Sequence, residues 1–315
     1  MRPVSKAFAG ALLGTLVLAG CGQNGTTTTS SAAPSSPATA AAAGTFPVTV
    51  EAANGKVTIA KRPERIVSLS PTSTENLFAI GAGPQVVAVD DQSNFPAEAP
   101  KSELSGYKPN VEAIVAKKPD LVITSDDKVV AELTKVGVPV LVESAALKLD
   151  DAYDQLADLG AATGNAAKAQ EVATTMRTEL DELAKAAPKD KQLTYYHELD
   201  QTPYAATSST FIGQLYAMFG LVNIADKAPD AASGYPKLSA EYIAQADPDL
   251  VFLADVKCCQ QSKDTLAKRP GWKSLKAIKN DQVIQLDDDV ASRWGPRVVD
   301  LARSISDAVA KAATR

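Results

Sequence analysis

Asn110-Val111-Glu112-Ala113-Ile114-Val115-Ala116-Lys117-Lys118-Pro119-Asp120-Leu121-Val122-Ile123 decides the fold. Asn110 is a helix N-cap residue, because its side chain can accept from the free N–H groups of a first turn. Pro119 stops that helix, since the residue before a proline is pushed out of the α region. Leu121-Val122-Ile123 then reads as a strand buried on both faces. The pattern returns without a gap in Ser239-Ala240-Glu241-Tyr242-Ile243-Ala244-Gln245-Ala246-Asp247-Pro248-Asp249-Leu250-Val251-Phe252. Glu, Ile and Pro-Asp-Leu-Val recur at the same steps, which points to two related halves.

Outward from the first copy, Arg65–Ser70, Val86–Val89, Asp120–Thr124 and Pro139–Val142 are predicted strands. Val129–Val136 is a predicted helix between two of them. A further helix is predicted to start at Thr72, with Glu75 three residues on as a capping box. Apolar strands separated by helices imply parallel βαβ units. Leu149–Ala187 reads as helical with a break near Gly164-Asn165, and alternation restarts at Leu193–His197. The predicted fold is therefore α/β, with two Rossmann-like lobes carrying parallel sheets. One long helix connects them, and a ligand cleft lies between. The expected divisions are 46–164 for the N-terminal lobe, 165–188 for the connecting helix and 189–315 for the C-terminal lobe.

The start of the chain has a different character. Met1–Lys6 is basic, Ala7–Val17 is apolar, and Leu18-Ala19-Gly20-Cys21 ends the run. This describes a secretory signal over 1–20, too short for a membrane span of about 20 apolar residues. Its end resembles the bacterial lipobox. The resemblance implies a diacylglycerol on Cys21 and anchoring to the outer face of the cell membrane. Residues 21–45 are Thr, Ser, Ala and Pro with almost no large apolar side chain, a flexible tether. It reaches at most about 75–80 Å.

The net charge is −5 with no basic block, so a nucleic-acid partner is not expected. The enzyme signatures Gly-x-Ser-x-Gly, His-Glu-x-x-His and the P-loop are absent from the sequence, and so is Gly-x-Gly-x-x-Gly. Of three cysteines, Cys258 and Cys259 are adjacent, so no disulfide links distant segments. They are open to three readings: a vicinal disulfide, a thiol pair or a local loop feature. The one histidine, His197, is a structural or cleft-lining residue by preference. A redox or hydrolytic protein using His197 or Cys258/Cys259 is the rival to a binding protein. A non-transport assembly or sensory protein is a third reading. Tyr107, Tyr235 and Trp294 lie in loops beside predicted strands and helices, where α/β folds bind ligands. Arg293 is suited to bidentate recognition of anionic groups. Glu112 and Glu241, one per half, suit a pair of sockets for basic residues of a partner.

Arg65–Glu75, Asn110–Ile114 with Lys118–Ile123, and Arg269-Pro270-Gly271-Trp272 with Val283–Leu286 together resemble a known family. It is the class III (cluster A) solute-binding proteins of ABC importers, the iron-siderophore and vitamin B12 group. The resemblance implies two lobes on one long helix, a shallow cleft with limited hinge motion, and no enzymatic activity or resident cofactor. It implies that Glu112 and Glu241 dock on arginines of a permease, which works with a cytoplasmic ATPase. It places Pro71, Thr72, Tyr107 and Tyr235 in the cleft. Asp289 and Arg293 match residues that the B12-binding members use, while two of that group's aromatic positions fall on Gln92 and Ser125. The expected cargo is a metal chelate, a cobalamin-like corrinoid ahead of a ferric siderophore or heme, carried by a monomer.

Overall fold

A computed structural model describes residues 44–314, which belong to one compact unit. The expected signal segment, Cys21 and nearly all of the expected tether lie outside the described residues. Ten strands are present among them: β1 Val48–Ala52, β2 Gly55–Ile59, β3 Ile66–Leu69, β4 Val86–Val89, β5 Leu121–Thr124, β6 Val140–Val142, β7 Thr194–Glu198, β8 Val222–Asn223, β9 Leu250–Leu253 and β10 Val283–Gln285. The helices of the first half are α1 Pro71–Ala79, α2 Val111–Val115, α3 Val130–Lys135, α4 Leu149–Thr163 and α5 Ala166–Ala186. Those of the second are α6 Phe211–Met218, α7 Ala240–Ala246, α8 Val256–Cys259, α9 Lys263–Ala267, α10 Lys276–Lys279, α11 Asp288–Ala291 and α12 Val298–Ala313.

The two halves have one topology. The first sheet runs β4-β3-β5-β6 and the second β8-β7-β9-β10, with every neighbour parallel. In each, the second strand of the half lies outside the first, and the third and fourth continue on its other side. The repeated sequence falls on α2–β5 and α7–β9, which occupy equivalent places. Its residues do the same work twice. Asn110 Oδ1 accepts from Ala113 N–H at 2.9 Å, and Ser239 Oγ accepts from Tyr242 N–H at 3.1 Å. Lys118 and Asp247, each before the proline, turn the chain through positive φ. Asp120 then accepts from the backbone of Glu64 and Arg65 at 2.9 and 2.8 Å. Asp249 accepts from Thr194 N–H at 2.9 Å. Each aspartate thus fastens the start of a central strand to its neighbour.

The largest apolar cluster runs through both lobes, from Ile66 and Leu121 through Leu156 and Leu180 to Tyr216, Phe252 and Ile305. A shared core opposes large relative motion, because opening it would return apolar area to water at about 25 cal/mol per Å². Two smaller clusters serve the lobes separately, one around Val67, Ile114 and Val122, the other around Tyr196, Trp272 and Leu266. Gly164 at positive φ separates α4 from α5, at the expected break.

Two local findings differ from the sequence reading. The antiparallel β1–β2 hairpin precedes the first parallel strand; no such element was anticipated. Its turn covers the open side of β6. Asn54 Nδ2 donates to Val140 O at 2.9 Å, Asn54 Oδ1 accepts from Val142 N–H at 3.1 Å, and Ala53 N–H donates to Val142 O at 3.1 Å. Helix α1 is capped by Ser70, whose Oγ accepts from Ser73 N–H at 3.3 Å, not by Thr72. The reason is Pro71, which has no N–H to lose at the first helical position and a φ already suited to it. Glu75 is thereby released from any capping box.

Candidate functional site

The C-terminal ends of the parallel strands of both lobes meet along one seam. Asn94, beyond β4, donates to Asp289 in α11 at 2.9 Å, and Gln214 of α6 donates to Leu147 O, beyond β6, at 2.7 Å. The loops along these ends carry an unusual surface. Of the eight exposed large hydrophobic side chains among the described residues, five are here: Phe95, Tyr107 and Leu147 on the first lobe, Tyr204 and Tyr235 on the second. Exposed apolar side chains gathered in one region mark an interaction site.

Tyr107 is 79 % exposed and Tyr235 50 %, and they precede α2 and α7 at similar distances. Tyr107 is held out by its neighbours. A Cβ at Gly106 would lie 2.5 Å from Leu69 O and 2.6 Å from Asp90 Oδ2. Only glycine lets the loop rest on the end of β3. Lys128 Nζ donates to Tyr107 O at 3.2 Å and lies 5.2 Å from the ring centre. On the other lobe, Ala205 N–H donates to Pro236 O at 3.0 Å and Thr207 N–H to Gly234 O at 2.9 Å, fixing the Tyr235 loop beside the chain leaving β7.

Arg293 and Asp289 belong to a buried polar clasp across the seam. Arg293 Nη1 donates to Glu75 Oε1 at 2.8 Å and Asn94 Oδ1 at 3.0 Å; its Nη2 donates to Gln92 O at 3.0 Å and Asp289 Oδ1 at 2.8 Å. Arg297 donates twice to Glu75, at 2.9 and 2.5 Å, and its guanidinium lies over Phe95. Glu75 is thus an acid of the first lobe gripping two arginines from the segment before α12. Sequence reasoning missed it, having assigned it to a cap. Trp294 is half-buried beside the clasp, donating Nε1–H to Gln155 Oε1 in α4 at 2.8 Å. Lys257 pairs with Asp287 and Asp289 at 2.8 and 3.1 Å, and Lys128 with Asp126 at 2.6 Å.

Pro71 is half-buried and Thr72 buried in the first turn of α1. Glu112 and Glu241 are exposed in the first turns of α2 and α7. They stand on equivalent helices, one per lobe. His197 is fully buried, with Nδ1 at 2.8 Å from Tyr216 Oη. Burial depresses it to about 4, so it is neutral and sealed from solvent. Cys258 and Cys259 are bonded to each other. No group of three or more His, Cys, Asp or Glu suited to holding a metal occurs among the described residues. No helix there is long and apolar enough to cross a membrane.

Further acids inside the fold were also not anticipated. Glu198, with no exposed surface, takes a bidentate grip from Arg269 at 2.6 and 2.7 Å. Burial, and then the Glu198 carboxylate, raise Asp255 to about 7. At the end of β6, burial and then the negative charge of Asp158 push Glu143 up to about 8, and its Oε1 has no hydrogen-bond partner. Burial and then Asp154 bring Asp158 to about 6. A carboxyl with a raised folded pKa binds more protons in the native state than in the unfolded one. Its contribution is therefore fully present below the unfolded pKa of about 4.5 and is lost as pH rises through 8. Glu143→Gln is expected to stabilise the protein by about 1–3 kcal/mol at pH 8 and by little at pH 4.5. Urea unfolding across that range checks it; an equal shift at both pH values would refute it.

A family-wide sequence profile described as periplasmic binding protein matches residues 66–290. An uncharacterized ABC transporter substrate-binding lipoprotein of Bacillus subtilis, YvrC, is 29% identical, with 98% of each chain covered. A cobalamin-binding protein of Halobacterium salinarum is 34% identical over 229 residues, 69% of this chain and 61% of that one. The crystal structure of a possible iron-binding, periplasmic solute-binding protein from Staphylococcus epidermidis superposes with a TM-score of 0.69. It is 26% identical, and the match covers 79% of this chain and 99% of that one.

Proposed function

The chain belongs to the periplasmic binding protein family, and from that premise we propose that it is the substrate-binding protein of an ABC importer. It works outside the cytoplasm, anchored by a lipid on Cys21, and it captures rather than transforms its ligand. The observation that carries this reading is the concentration of exposed aromatic and aliphatic side chains on the facing strand ends of both lobes. Tyr107, Tyr235, Phe95 and Tyr204 offer flat faces with, in the tyrosines, polar tips. Such surfaces pack on a large rigid ligand while staying wetted at the edge.

The charges beside the cleft favour an electroneutral chelate. Arg293, Arg297, Lys128 and Lys257 are all paired with carboxylates. Taking an anionic ligand on Arg293 or Arg297 would require breaking the buried pairs with Glu75, and a buried pair broken on one side costs about 3–5 kcal/mol, whereas the exposed Lys128 and Lys257 pairs set no such barrier. A corrinoid, whose periphery is largely neutral amides, meets no such cost. Cobalamin is accordingly placed ahead of ferric siderophores and heme. Asp289 and Arg293 enter as the frame of the cleft wall, with Pro71, Thr72 and Trp294 at its base. Fluorescence titration and thermal shift against cyanocobalamin, heme and ferrioxamine B are expected to give saturable binding, tightest for cyanocobalamin. No response to any of the three would sink the chelate reading.

Glu112 and Glu241 serve delivery. Two exposed acids on equivalent helices present one negative charge per lobe to a permease, steering its approach and fixing orientation. The double charge reversal Glu112→Lys/Glu241→Lys is expected to reduce uptake by cells to background while leaving ligand affinity within about twofold, as rim charges act on association with the partner. Normal uptake by the double variant would remove the docking assignment.

A further inference from the structure

The loop after β9 carries a feature that capture and docking do not use. Cys258 and Cys259 form a disulfide between chain neighbours within the short turn α8. A crosslink stabilises chiefly by closing a long loop in the unfolded chain. A bond between adjacent residues closes almost none, so fold stability gives no reason for it.

The turn is nevertheless held from three sides. Asp288 accepts from the N–H groups of Val256, Lys257 and Cys258 at 2.9, 3.0 and 2.9 Å. Asp255 O accepts from Cys259 and Gln261 N–H, each at 3.3 Å. Gln261 donates to Cys259 O at 2.9 Å, and its own oxygen accepts from Arg269 at 2.8 Å. These contacts fix the turn on the cleft-facing end of β9, yet Cys258 remains exposed. Lys257, the preceding residue, reaches Asp289 at 3.1 Å, and Asp289 holds Arg293 and, across the seam, Asn94. The sulfur pair is therefore one residue away from the clasp between the lobes.

We propose that the Cys258–Cys259 disulfide is a reducible ligand contact of the cleft, a role that rests on the chelate-binding reading above. Closed, it presents an apolar sulfur face on a fixed turn. Opened, it loses that face and the ring's own constraint on the turn, and binding weakens. The opening is a two-electron exchange with a dithiol reductant. One thiolate of the reductant attacks a sulfur and breaks the S–S bond. Its second thiol displaces the mixed disulfide, leaving two protein thiols and a cyclic disulfide of the reductant.

The test measures affinity of the full chain for cyanocobalamin and ferrioxamine B in three forms: oxidised, reduced with dithiothreitol and desalted without air, and Cys258→Ala/Cys259→Ala. The better-bound probe is expected to lose about five- to tenfold in affinity on reduction, within the usual span of coupled sites. The double variant should match the reduced form and ignore dithiothreitol. Equal affinity of oxidised and reduced chains overturns the proposal and leaves the importer reading standing. So does oxidised-like affinity in the double variant. Absence of binding by the oxidised chain to either probe, and to heme as well, overturns both. Without ligand, amide exchange of residues 256–261 is expected to accelerate on reduction; unchanged exchange also overturns the proposal.

Discussion

Arg269→Ala is expected to lower stability by about 3–5 kcal/mol, the cost of stranding a buried carboxylate by removing its partner. Glu198 has no exposed surface and depends on Arg269 for both oxygens. Tyr196 Oη donates to one of them at 3.0 Å, a neutral contact that cannot replace the lost cation. Asp255 lies close enough to Glu198 to be raised by its charge, so the variant would confine two acids with no guanidinium. Arg269 also stacks over Trp272, with Cζ 4.6 Å from the ring centre, and alanine removes that face. Arg269→Lys is expected to rescue little, because an ammonium cannot reproduce the bidentate fork. The measurement is the urea midpoint at constant slope. The pH response carries a sign. Native Asp255, already raised to about 7 and in the variant without the guanidinium that lowers it, would bind protons more tightly than in the unfolded chain, so stability should recover as pH falls from 8 to 5. A variant with the parent midpoint at pH 8 would refute the account.

The second large effect concerns the clasp between the lobes. Glu75→Ala removes the acceptor shared by Arg293 and Arg297 and is expected to cost about 2–4 kcal/mol. Arg293 keeps Asp289, which limits the loss, whereas Arg297 has no second carboxylate within ion-pair distance among the described residues. Glu75→Gln should cost less, since an amide oxygen can still accept from one guanidinium. A double-mutant cycle of Glu75→Ala with Arg297→Ala is expected to give a coupling of about 1–3 kcal/mol. Additive single and double losses would mean that the two side chains act independently. The same variants should release bound ligand faster, because the clasp fixes the wall on which Asp289 and Lys257 stand.

These residues show where sequence reading reaches its limit. The βα units were legible because each signal is local. An N-cap lies three residues from the amide it satisfies, and a proline acts on the residue before it. The repeat was legible because Asp120 and Asp249 solve one problem at equivalent places. Ser70 against Thr72 was misread although the signal was present, since Pro71 at the first helical position points to the residue before it. The β1–β2 hairpin is short and half-exposed, and its alternation is too brief to separate from a loop. Glu75 with Arg293, and Glu198 with Arg269, are 218 and 71 residues apart. Nothing local distinguishes them from surface charges; only the assembled core makes them partners. Tyr107 and Tyr235, both exposed in the structure, are singled out as candidates by their place before the two matched helices, which is sequence information about topology.

The turn of the small hairpin has a consequence for the protein's company. A sheet that ends in an open strand displays a row of free N–H and C=O groups, ready to recruit a strand from another molecule. Along β6 that row is answered by Ala53 and by the side-chain amide of Asn54. The amide acts as a stopper, too short to be extended by a further strand. A hairpin of twelve residues, Val48 to Ile59, outside the ligand apparatus thereby keeps one flank of the molecule from polymerising with its own copies.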